Sequence, residues 1–387
     1  MTDESRGGPA RSGPLRGVRV IELAGIGPAP YAGMLLSDLG AEVIRVERPG
    51  GNPLYDPAHR FLNRGRRRLA LNLKADAAAE VVLRLARDAD VLIEGFRPGV
   101  TERLGIGPDE CRAVNPRLVY GRMTGWGQGG PYAHVAGHDI TYLALSGALR
   151  AIGPAGAPPV PPLNLLGDFG AGGMLLAFGV VAAVLQARQS GQGQVVDAAI
   201  VDGTVSLLGM LLGSRASGVW SDERSANLLD GGAPFYDTYE CAGGEYVAVG
   251  ALEEQFYSEF IARLSDGADE PAPSRAPDEW PALRKWIAGR FATRTRDEWA
   301  AVFGDSDACV APVLSVAEAA EHTHLAARGT YQADGSPAPV PRFARTPGAS
   351  GEVDRAVGAD TAAVLGEAGY SDAEIAALRE AGVVATA

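Results

Sequence analysis

Cysteine is scarce in this chain of 387 residues, which has only three: Cys111, Cys241 and Cys309. They lie far apart and show no metal-ligand spacing, so the sequence predicts neither a disulfide framework nor a zinc site. A reducing compartment, the cytoplasm, is the localisation that we expect.

Lysine is also nearly absent, with Lys74 and Lys285 alone, so that arginine supplies almost all the positive charge. The 47 acidic side chains outnumber the 35 basic ones, and the net charge at pH 7 is -12. A nucleic-acid-binding surface requires a basic patch, so we expect no nucleic-acid partner.

Long apolar segments are missing as well. The longest, residues 171–185, contains three glycines and is shorter than the roughly 20 residues of a membrane span. We expect it to form a buried core helix, and we expect no membrane partner. Residues 1–14 are polar and lack the apolar stretch of a signal peptide, which predicts a disordered leader.

The first half of the chain alternates strand and helix patterns. The predicted strands are residues 18–23, 42–46, 91–93 and 118–121, and the predicted helices are residues 31–39 and 77–87, the second of them capped by Asp76. Such alternation predicts the α/β class, with a parallel sheet that carries helices on both faces.

The second half has a different pattern. A helical pattern after Val195 continues to Leu212 and leads the chain away from the first half. Residues 235–240 and 246–249 predict a β-hairpin, and Thr295 to Glu298 form a capping box that opens a helix. A terminal helix is expected at residues 372–381.

Two features of the first half have more than one interpretation. Gly25-Ile26-Gly27 follows the first strand, with Glu47 about 20 residues further on, as in dinucleotide-binding loops, but Pro30 replaces the third glycine. A structural turn or a different nucleotide is therefore favoured over a nicotinamide cofactor. Four arginines between positions 64 and 68, followed by Leu71-Asn72-Leu73-Lys74, form either a solvated face or a site for a phosphate-bearing ligand.

Two ionisable side chains, His138 and Asp168, each stand just ahead of an apolar segment of helical length. Backbone N–H groups and the helix dipole act on a side chain at that place. A histidine that satisfies backbone groups and an aspartate N-cap are the structural alternatives. If the two face opposite sides of one carbon, one can remove a proton while the other returns it.

The chain from about Leu15 onward resembles the CoA-transferase family III superfamily. The segments that carry the resemblance are Val20-Ile21-Glu22-Leu23-Ala24-Gly25, Arg45-Val46-Glu47-Arg48-Pro49-Gly50, Phe96-Arg97-Pro98-Gly99-Val100, Gly137-His138-Asp139-Ile140, Pro162-Leu163-Asn164-Leu165-Leu166-Gly167-Asp168-Phe169, Leu229-Asp230-Gly231-Gly232-Ala233-Pro234-Phe235-Tyr236 and Ala248-Val249-Gly250-Ala251-Leu252-Glu253. Within the superfamily the chain is similar to the racemases of 2-methylacyl-CoA thioesters, because His138 precedes Asp139, whereas the transferases usually lack that histidine.

This resemblance implies an interlocked homodimer. Each chain is expected to have a large Rossmann-like, CoA-binding domain over residues 15–198 and linker helices over residues 199–235. A smaller α/β domain follows over residues 236–320, and residues 321–387 return to the large domain. The active site would lie between the large domain of one chain and the small domain of the other.

The resemblance also implies the catalytic roles. His138 and Asp168 are the two bases, Glu253 orients His138, and the backbone N–H of Asp139 contacts the enolate oxygen. A thioester already acidifies its α-hydrogen, so no metal or other cofactor is expected, and CoA is part of the substrate.

The CoA and acyl contacts follow from the same resemblance. The residues expected to bind the substrate are Arg48, Leu71, Asn72, Leu73, Lys74, Arg97, Gly137 and Tyr142 for CoA, and Tyr236 for the acyl tail. Three alternatives remain open: a family III CoA-transferase with Asp139 as its nucleophile, elimination from a β-substituted acyl-CoA, and a CoA-binding protein without activity.

Overall fold

The computed structural model describes residues 12–387, so that all but the last three residues of the predicted leader, 1–14, lie outside the described part. The described chain divides into two compact units. The first contains residues 12–146, Leu163–Leu207 and Tyr331–Ala387, and the second contains Gly147–Pro162 and Leu208–Thr330.

The first unit is built on a seven-stranded sheet. Its strands are β1 (Arg19–Leu23), β2 (Glu42–Glu47), β3 (Arg67–Leu71), β4 (Val91–Glu94), β5 (Val119–Thr124), β6 (Val195–Ala199) and β10 (Val384–Ala385). Their order is β10-β3-β2-β1-β4-β5-β6, and every pair is parallel except β10 with β3. The predicted parallel sheet is confirmed. The order 3-2-1-4-5-6 is that of a doubly wound sheet, whose ligand crevice opens where the order reverses, between β1 and β4.

Helices form most of the rest of the regular structure. The α-helices are α1 (Pro28–Asp38), α2 (Ala78–Arg87), α3 (Val100–Arg103), α4 (Pro108–Val114), α5 (Asp139–Ser146), α6 (Leu175–Ser190), α7 (Ile200–Leu207), α8 (Gly209–Ala216), α9 (Glu254–Leu264), α10 (Trp280–Phe291), α11 (Arg296–Phe303), α12 (Val316–Glu321), α13 (Thr323–Ala327), α14 (Thr361–Glu367) and α15 (Asp372–Glu380). A π-helix, Leu165–Met174, runs directly into α6, and 3₁₀ turns span Leu149–Ala151 and Pro277–Glu279.

Both faces of the large sheet are covered, because successive strand residues point to opposite sides. Val20 of β1 packs in a core cluster with α1 and α6, whereas its neighbour Ile21 packs in a second cluster with α2 and α14. Both side chains are fully buried. Most residues of β1, β2 and β4 are therefore buried and apolar, which made these strands predictable from the sequence, and the charged residues among them, such as Glu22 and Arg45, are buried as ion pairs.

The four arginines between positions 64 and 68, which we call the arginine segment, form neither a solvated face nor a phosphate site. Arg64 and Arg66 are about 1% exposed, and Arg67 and Arg68 belong to β3, a strand that the sequence analysis missed. Their partners are carboxylates of the first unit: Asp38 for Arg64, Glu22 for Arg66, Glu42 and Glu367 for Arg67, and Glu47 for Arg68. For these four arginines the prediction of a solvated face or a phosphate site was wrong, because their guanidinium groups bind the protein itself.

The predicted core helix is buried on one face only. Leu176, Val180 and Val184 pack in the core, whereas Phe178 and Leu185 are 71% and 62% exposed. The continuous helical segment Leu165–Ser190 is long and apolar enough to cross a membrane by length and composition, and 44% of its most apolar window is buried. Length and composition do not separate a spanning helix from a core helix, and the buried face packs on the sheet.

Two further details correct the sequence analysis. Asp76 does not cap α2, since Ala77 is the N-cap residue and makes no side-chain hydrogen bond. The segment after Val195 is not helical at first, because Val195–Ala199 forms β6 beside β5 before α7 begins at Ile200.

The second unit contains a three-stranded antiparallel sheet in the order β7 (Tyr236–Glu240), β8 (Tyr246–Gly250), β9 (Val310–Pro312). The predicted hairpin is confirmed by the pairing of β7 with β8. The capping box at Thr295 is also confirmed, with Glu298 bonded to the Thr295 backbone N–H at 2.8 Å. Buried aromatic side chains from α9, α10 and α11, among them Phe260 and Trp299, form its core.

Candidate active site

Two cavities open at the carboxyl edge of the large sheet, beside the point where the strand order reverses. We call them the Arg48 cavity, of about 460 Å³, and the His138 cavity, of about 510 Å³. The Arg48 cavity lies at the ends of β2 and β3, and the His138 cavity at the ends of β4 and β5. Four residues line both cavities, so the two adjoin: Ile26, Tyr55, His59 and Phe96. Together they are large enough for a ligand of cofactor size.

Asp168 lies in the first turn of the π-helix rather than ahead of it, and it lines the His138 cavity. Burial, and then the negative charge of Asp139, raise the pKa of its carboxyl to about 6, although a hydrogen bond with Asn164 and the charge of His138 act in the opposite direction. A carboxyl group with this pKa exchanges protons readily near neutral pH.

Gly27 makes room for that carboxylate. It is the N-cap residue of α1, with φ 65°, and a Cβ atom there would lie 2.9 Å from Asp168 Oδ2. The glycine loop after β1 therefore serves as a strand-to-helix turn against which an acidic side chain packs. Glu47, the expected ribose ligand of a dinucleotide site, is instead buried and bonded through both oxygens to Arg68.

Asp139 begins α5, and its carboxylate is turned into the protein. The residue is 7% exposed, Oδ2 accepts the backbone N–H of Asp168 at 2.6 Å, and the carboxylate also accepts a backbone hydrogen bond from Gly167. Burial raises the pKa of the Asp139 carboxyl, while the two backbone donors lower it. Its other oxygen, Oδ1, is buried without a hydrogen-bond partner among the described residues.

His138 precedes α5 and is exposed, and it lines the same cavity as Asp168. Its backbone N–H donates to Thr141 Oγ1 at 3.0 Å, and the Thr141 hydroxyl donates to His138 O at 2.7 Å. These bonds fix the backbone at the start of α5. The backbone N–H of Asp139, one of the first donors of the helix, has no acceptor within residues 12–387.

Tyr142 and Gly137, both predicted to contact the substrate, also line the His138 cavity. The Tyr142 ring packs edge-on against Trp126, with ring centroids 4.7 Å apart. Burial, followed by the charge of Asp168, raises the pKa of Tyr142 to about 12. A Cβ atom on Gly137 would lie 2.6 Å from the Tyr142 ring, so this position requires glycine.

The predicted CoA-binding residues divide between the two cavities. Arg48, Leu71, Asn72, Leu73 and Lys74 line the Arg48 cavity, whereas Arg97 lines the His138 cavity. Arg48, Lys74 and Arg97 are exposed, and none of them forms an ion pair within the described residues. Arg48 donates to the carbonyl oxygen of Gly51. These three cations, unlike those of the arginine segment, are available to an anionic ligand.

The remaining predicted site residues, Glu253 and Tyr236, belong to the second unit. Glu253 is exposed and is the N-cap residue of α9. Tyr236 begins β7 and is half-buried. Their roles toward the first unit stay predictions.

The sequence analysis missed three aromatic side chains of the cavities: Tyr55, His59 and Trp126. Tyr55 and His59 belong to turns between β2 and β3, where no periodic pattern marks them. Within residues 12–387 no group of histidine, cysteine, aspartate and glutamate side chains could hold a metal ion.

The chain is similar to known proteins over most of its length. The sequence profile of CoA-transferase family III matches residues 15–361. Alpha-methylacyl-CoA racemase of Mus musculus is 46% identical over 375 residues, 96% of this chain and 97% of that protein. The racemase of the same name from Homo sapiens is 44% identical over 366 residues, 93% of this chain and 95% of that protein.

A solved structure is similar over nearly the whole chain. The crystal structure of a CAIB/BAIF family protein from Brucella suis superposes with a TM-score of 0.80 at 26% identity, covering 92% of this chain and all of that one. The profile match and the two mammalian relatives lead to one conclusion: the chain belongs to CoA-transferase family III.

Proposed function

We propose that this protein is a racemase that interconverts the R and S forms of 2-methylacyl-CoA thioesters. The observation that carries the proposal is the arrangement of three side chains. His138 and Asp168 both line one cavity, whereas the carboxylate of Asp139 between them in sequence is buried. The names of the mouse and human relatives support the same activity.

The reaction needs one proton shared by two bases. When His138 is neutral and Asp168 is protonated, the imidazole removes the α-proton of the S thioester, and the Asp168 carboxyl delivers its proton to the opposite face. The product is the R thioester, with an imidazolium and a carboxylate. That state carries out the reverse reaction, in which Asp168 removes the proton of the R thioester.

The intermediate of both directions is an enolate, whose charge resides mainly on the thioester oxygen. The free backbone N–H of Asp139 at the start of α5 is suited to donate to that oxygen. A preorganised donor of this kind stabilises the transition state by about 3 kcal/mol. The positive end of the α5 dipole acts in the same direction.

The buried Asp139 carboxylate argues against the transferase alternative. A nucleophile that forms an acyl anhydride must reach the thioester carbon, but Oδ2 of Asp139 is engaged by backbone N–H groups of the π-helix. In the racemase proposal the same carboxylate positions Asp168. Its part in catalysis is then structural and electrostatic rather than covalent.

CoA is proposed to bind across both cavities. Its phosphates would meet Arg48 and Lys74 in the Arg48 cavity, with Leu71 to Leu73 beside the adenosine, and its thioester would meet His138 and Asp168. Arg97 adds a positive charge to the His138 cavity. No metal or further cofactor takes part in this scheme.

The proposed assembly is an interlocked homodimer in the cytoplasm, without a nucleic-acid or membrane partner. The exposed apolar face of α6, which includes Phe178 and Leu185, supports burial against a second copy. In this assembly Glu253 of the partner subunit orients His138, and Tyr236 of the partner subunit contacts the acyl tail.

The test is α-proton exchange in heavy water. Each pure enantiomer of a 2-methylacyl-CoA is incubated with the enzyme, and α-deuterium and optical purity are measured. We expect deuterium to enter from both enantiomers as optical purity is lost. A second carboxylic acid is added in a parallel reaction.

Three other results would contradict the proposal. Stoichiometric formation of the added acid's CoA ester without α-deuteration would identify a transferase. Loss of a β-substituent as the main reaction would identify an eliminating enzyme. Tight CoA binding with neither exchange nor transfer would identify a binding protein.

A further inference from the structure

The junction between the two cavities is formed by the residues that line both: Ile26, Tyr55, His59 and Phe96. A ligand with phosphates near Arg48 and Lys74 and a reacting carbon near His138 and Asp168 has to cross it. In CoA the part between the phosphates and the sulfur is the pantetheine arm, which carries two neutral amide groups. The chemistry of the junction therefore decides how that arm is held.

His59 is one of the two polar rings of the junction, with Tyr55, and it has free hydrogen-bonding capacity. It is half-buried, and neither of its ring nitrogens has a hydrogen-bond partner among the described residues. Its ring stacks on Tyr55, with centroids 5.9 Å apart and planes inclined by 17°. The imidazole is thus held in place by packing while its nitrogens stay available.

The backbone around His59 is well anchored. His59 N–H donates to Tyr55 O at 2.9 Å, and Asn63 N–H donates to His59 O at 2.8 Å, so the segment makes helical turns that bring Tyr55 and His59 to the same side. The buried Arg66 guanidinium donates to the Leu62 carbonyl. Leu62 in turn packs against the core of the first unit.

The surroundings of His59, and its burial above all, favour the neutral imidazole. Burial, and then the positive charges of Arg45 and Arg66, lower its pKa, although Asp56 and Glu22 partly oppose them. A neutral imidazole carries one N–H donor and one nitrogen acceptor. This pair matches the C=O and N–H of an amide, whereas a charged ring would match a phosphate.

We propose that His59, stacked on Tyr55, positions the pantetheine arm of the substrate by a hydrogen bond to one of its amide groups. This inference rests on the proposed function for the identity of the ligand, an acyl-CoA. His59 is then a substrate-positioning residue that distinguishes CoA thioesters from nucleotides lacking the arm. The imidazole takes no part in the proton transfer.

The experiment compares two ligands in calorimetric titrations of the purified protein: CoA, and adenosine 3′,5′-bisphosphate, which has the nucleotide part of CoA without the arm. His59→Phe keeps a ring to stack on Tyr55 and removes both nitrogens. We expect this substitution to weaken CoA binding by about five- to tenfold, as for one lost hydrogen bond, and to leave the affinity for the bisphosphate unchanged. His59→Gln, with a donor and an acceptor, should recover part of the loss.

Lys74→Ala is the matched control, because it removes a charge of the Arg48 cavity and should weaken the binding of both ligands. Retained bisphosphate binding by His59→Phe also reports that the cavity is folded. Unchanged CoA affinity in His59→Phe, or an equal loss for both ligands, would overturn the inference. Absence of α-deuterium exchange in the wild-type protein would refute the racemase proposal while leaving the two-ligand comparison valid.

Discussion

The carboxylate of Asp139 accepts the backbone N–H of Asp168 at 2.6 Å, across 29 residues of sequence. The bond fixes the first turn of the π-helix, and burial, together with the charge of Asp139, raises the pKa of the Asp168 carboxyl to about 6. Asp139 is thus buried as a structural support, while Asp168 faces the cavity with a proton that it can exchange.

Asp139→Asn should retain racemisation and shift its pH dependence. The asparagine side chain still offers an oxygen to the Asp168 N–H but lacks the charge, so the pKa of Asp168 should fall and activity that needs the Asp168 carboxylate should persist to lower pH. The measurement is the rate of α-deuterium entry into the R thioester as a function of pH. Complete loss of exchange, together with an acyl anhydride at Asp139 in the wild-type enzyme, would favour the transferase.

His138→Ala and Asp168→Ala should each abolish racemisation, because each removes the proton carrier on one face. Each variant should still exchange one enantiomer through the remaining base: the R form by Asp168 in His138→Ala, and the S form by His138 in Asp168→Ala. Deuterium incorporation is measured from each pure enantiomer in each variant. Loss of the same enantiomer's exchange in both variants would show that the two residues do not act on opposite faces.

The pH dependence of the two-base reaction should be bell-shaped in the wild-type enzyme, because the pair works only with a single proton. In His138→Ala the R exchange needs only the Asp168 carboxylate, which forms as the pH rises through its pKa. That rate should therefore increase through about pH 6 and level off above it. A profile of this variant that falls between pH 5 and 7 would contradict the assignment of Asp168 as the base.

Gly27→Ala should impair both folding and catalysis. The new Cβ would lie 2.9 Å from Asp168 Oδ2, and φ of 65° is a conformation that side-chain-bearing residues rarely adopt. The backbone strain alone should lower the free energy of unfolding by about 1–3 kcal/mol. Gly25→Ala is the control for stability, since a Cβ there meets nothing within 4 Å. Denaturant unfolding of both variants gives the comparison, and equal stabilities would contradict the argument.

Arg66→Met should destabilise the first unit through its buried partner. Arg66 and Glu22 are both fully buried and are joined by an ion pair of 3.0 Å, so the substitution leaves Glu22 with Arg45 as its remaining cation. We expect a loss of about 3 kcal/mol in the free energy of unfolding, and partial recovery in the double variant with Glu22→Gln.

Arg60→Ala is the control for that experiment. It breaks the ion pair with Asp354, in which both side chains are about half exposed, and should change stability little. A similar stability for Arg66→Met and Arg60→Ala would mean that the buried network is not important for folding.

The sequence by itself determined the features that depend on near neighbours. Buried parallel strands are short segments rich in apolar residues, so β1, β2, β4 and β5 were predictable, and the capping box at Thr295 is complete within four residues. The starts of α5 and of the π-helix, with His138 and Asp168, could be found for the same reason. The exchange chemistry followed from those residue types and from the resemblance to a family.

Only the tertiary structure decided which charged groups face the ligand. Arg66 and Lys74 are close in the sequence and both are cations, but Glu22, 44 residues before Arg66, neutralises the first, while the second lines a cavity. Asp139 and Asp168 are likewise distinguished by their contacts. The Asp139 carboxylate is buried and accepts a long-range hydrogen bond from Asp168 N–H, whereas the Asp168 side chain lines the cavity. The local sequence shows the type of each residue and its near neighbours. Its contact partners come from distant segments that the folded sheet brings beside it. Burial and neighbouring charges at those contacts, which no local pattern encodes, decide whether the pKa of each carboxylate and guanidinium is raised or lowered.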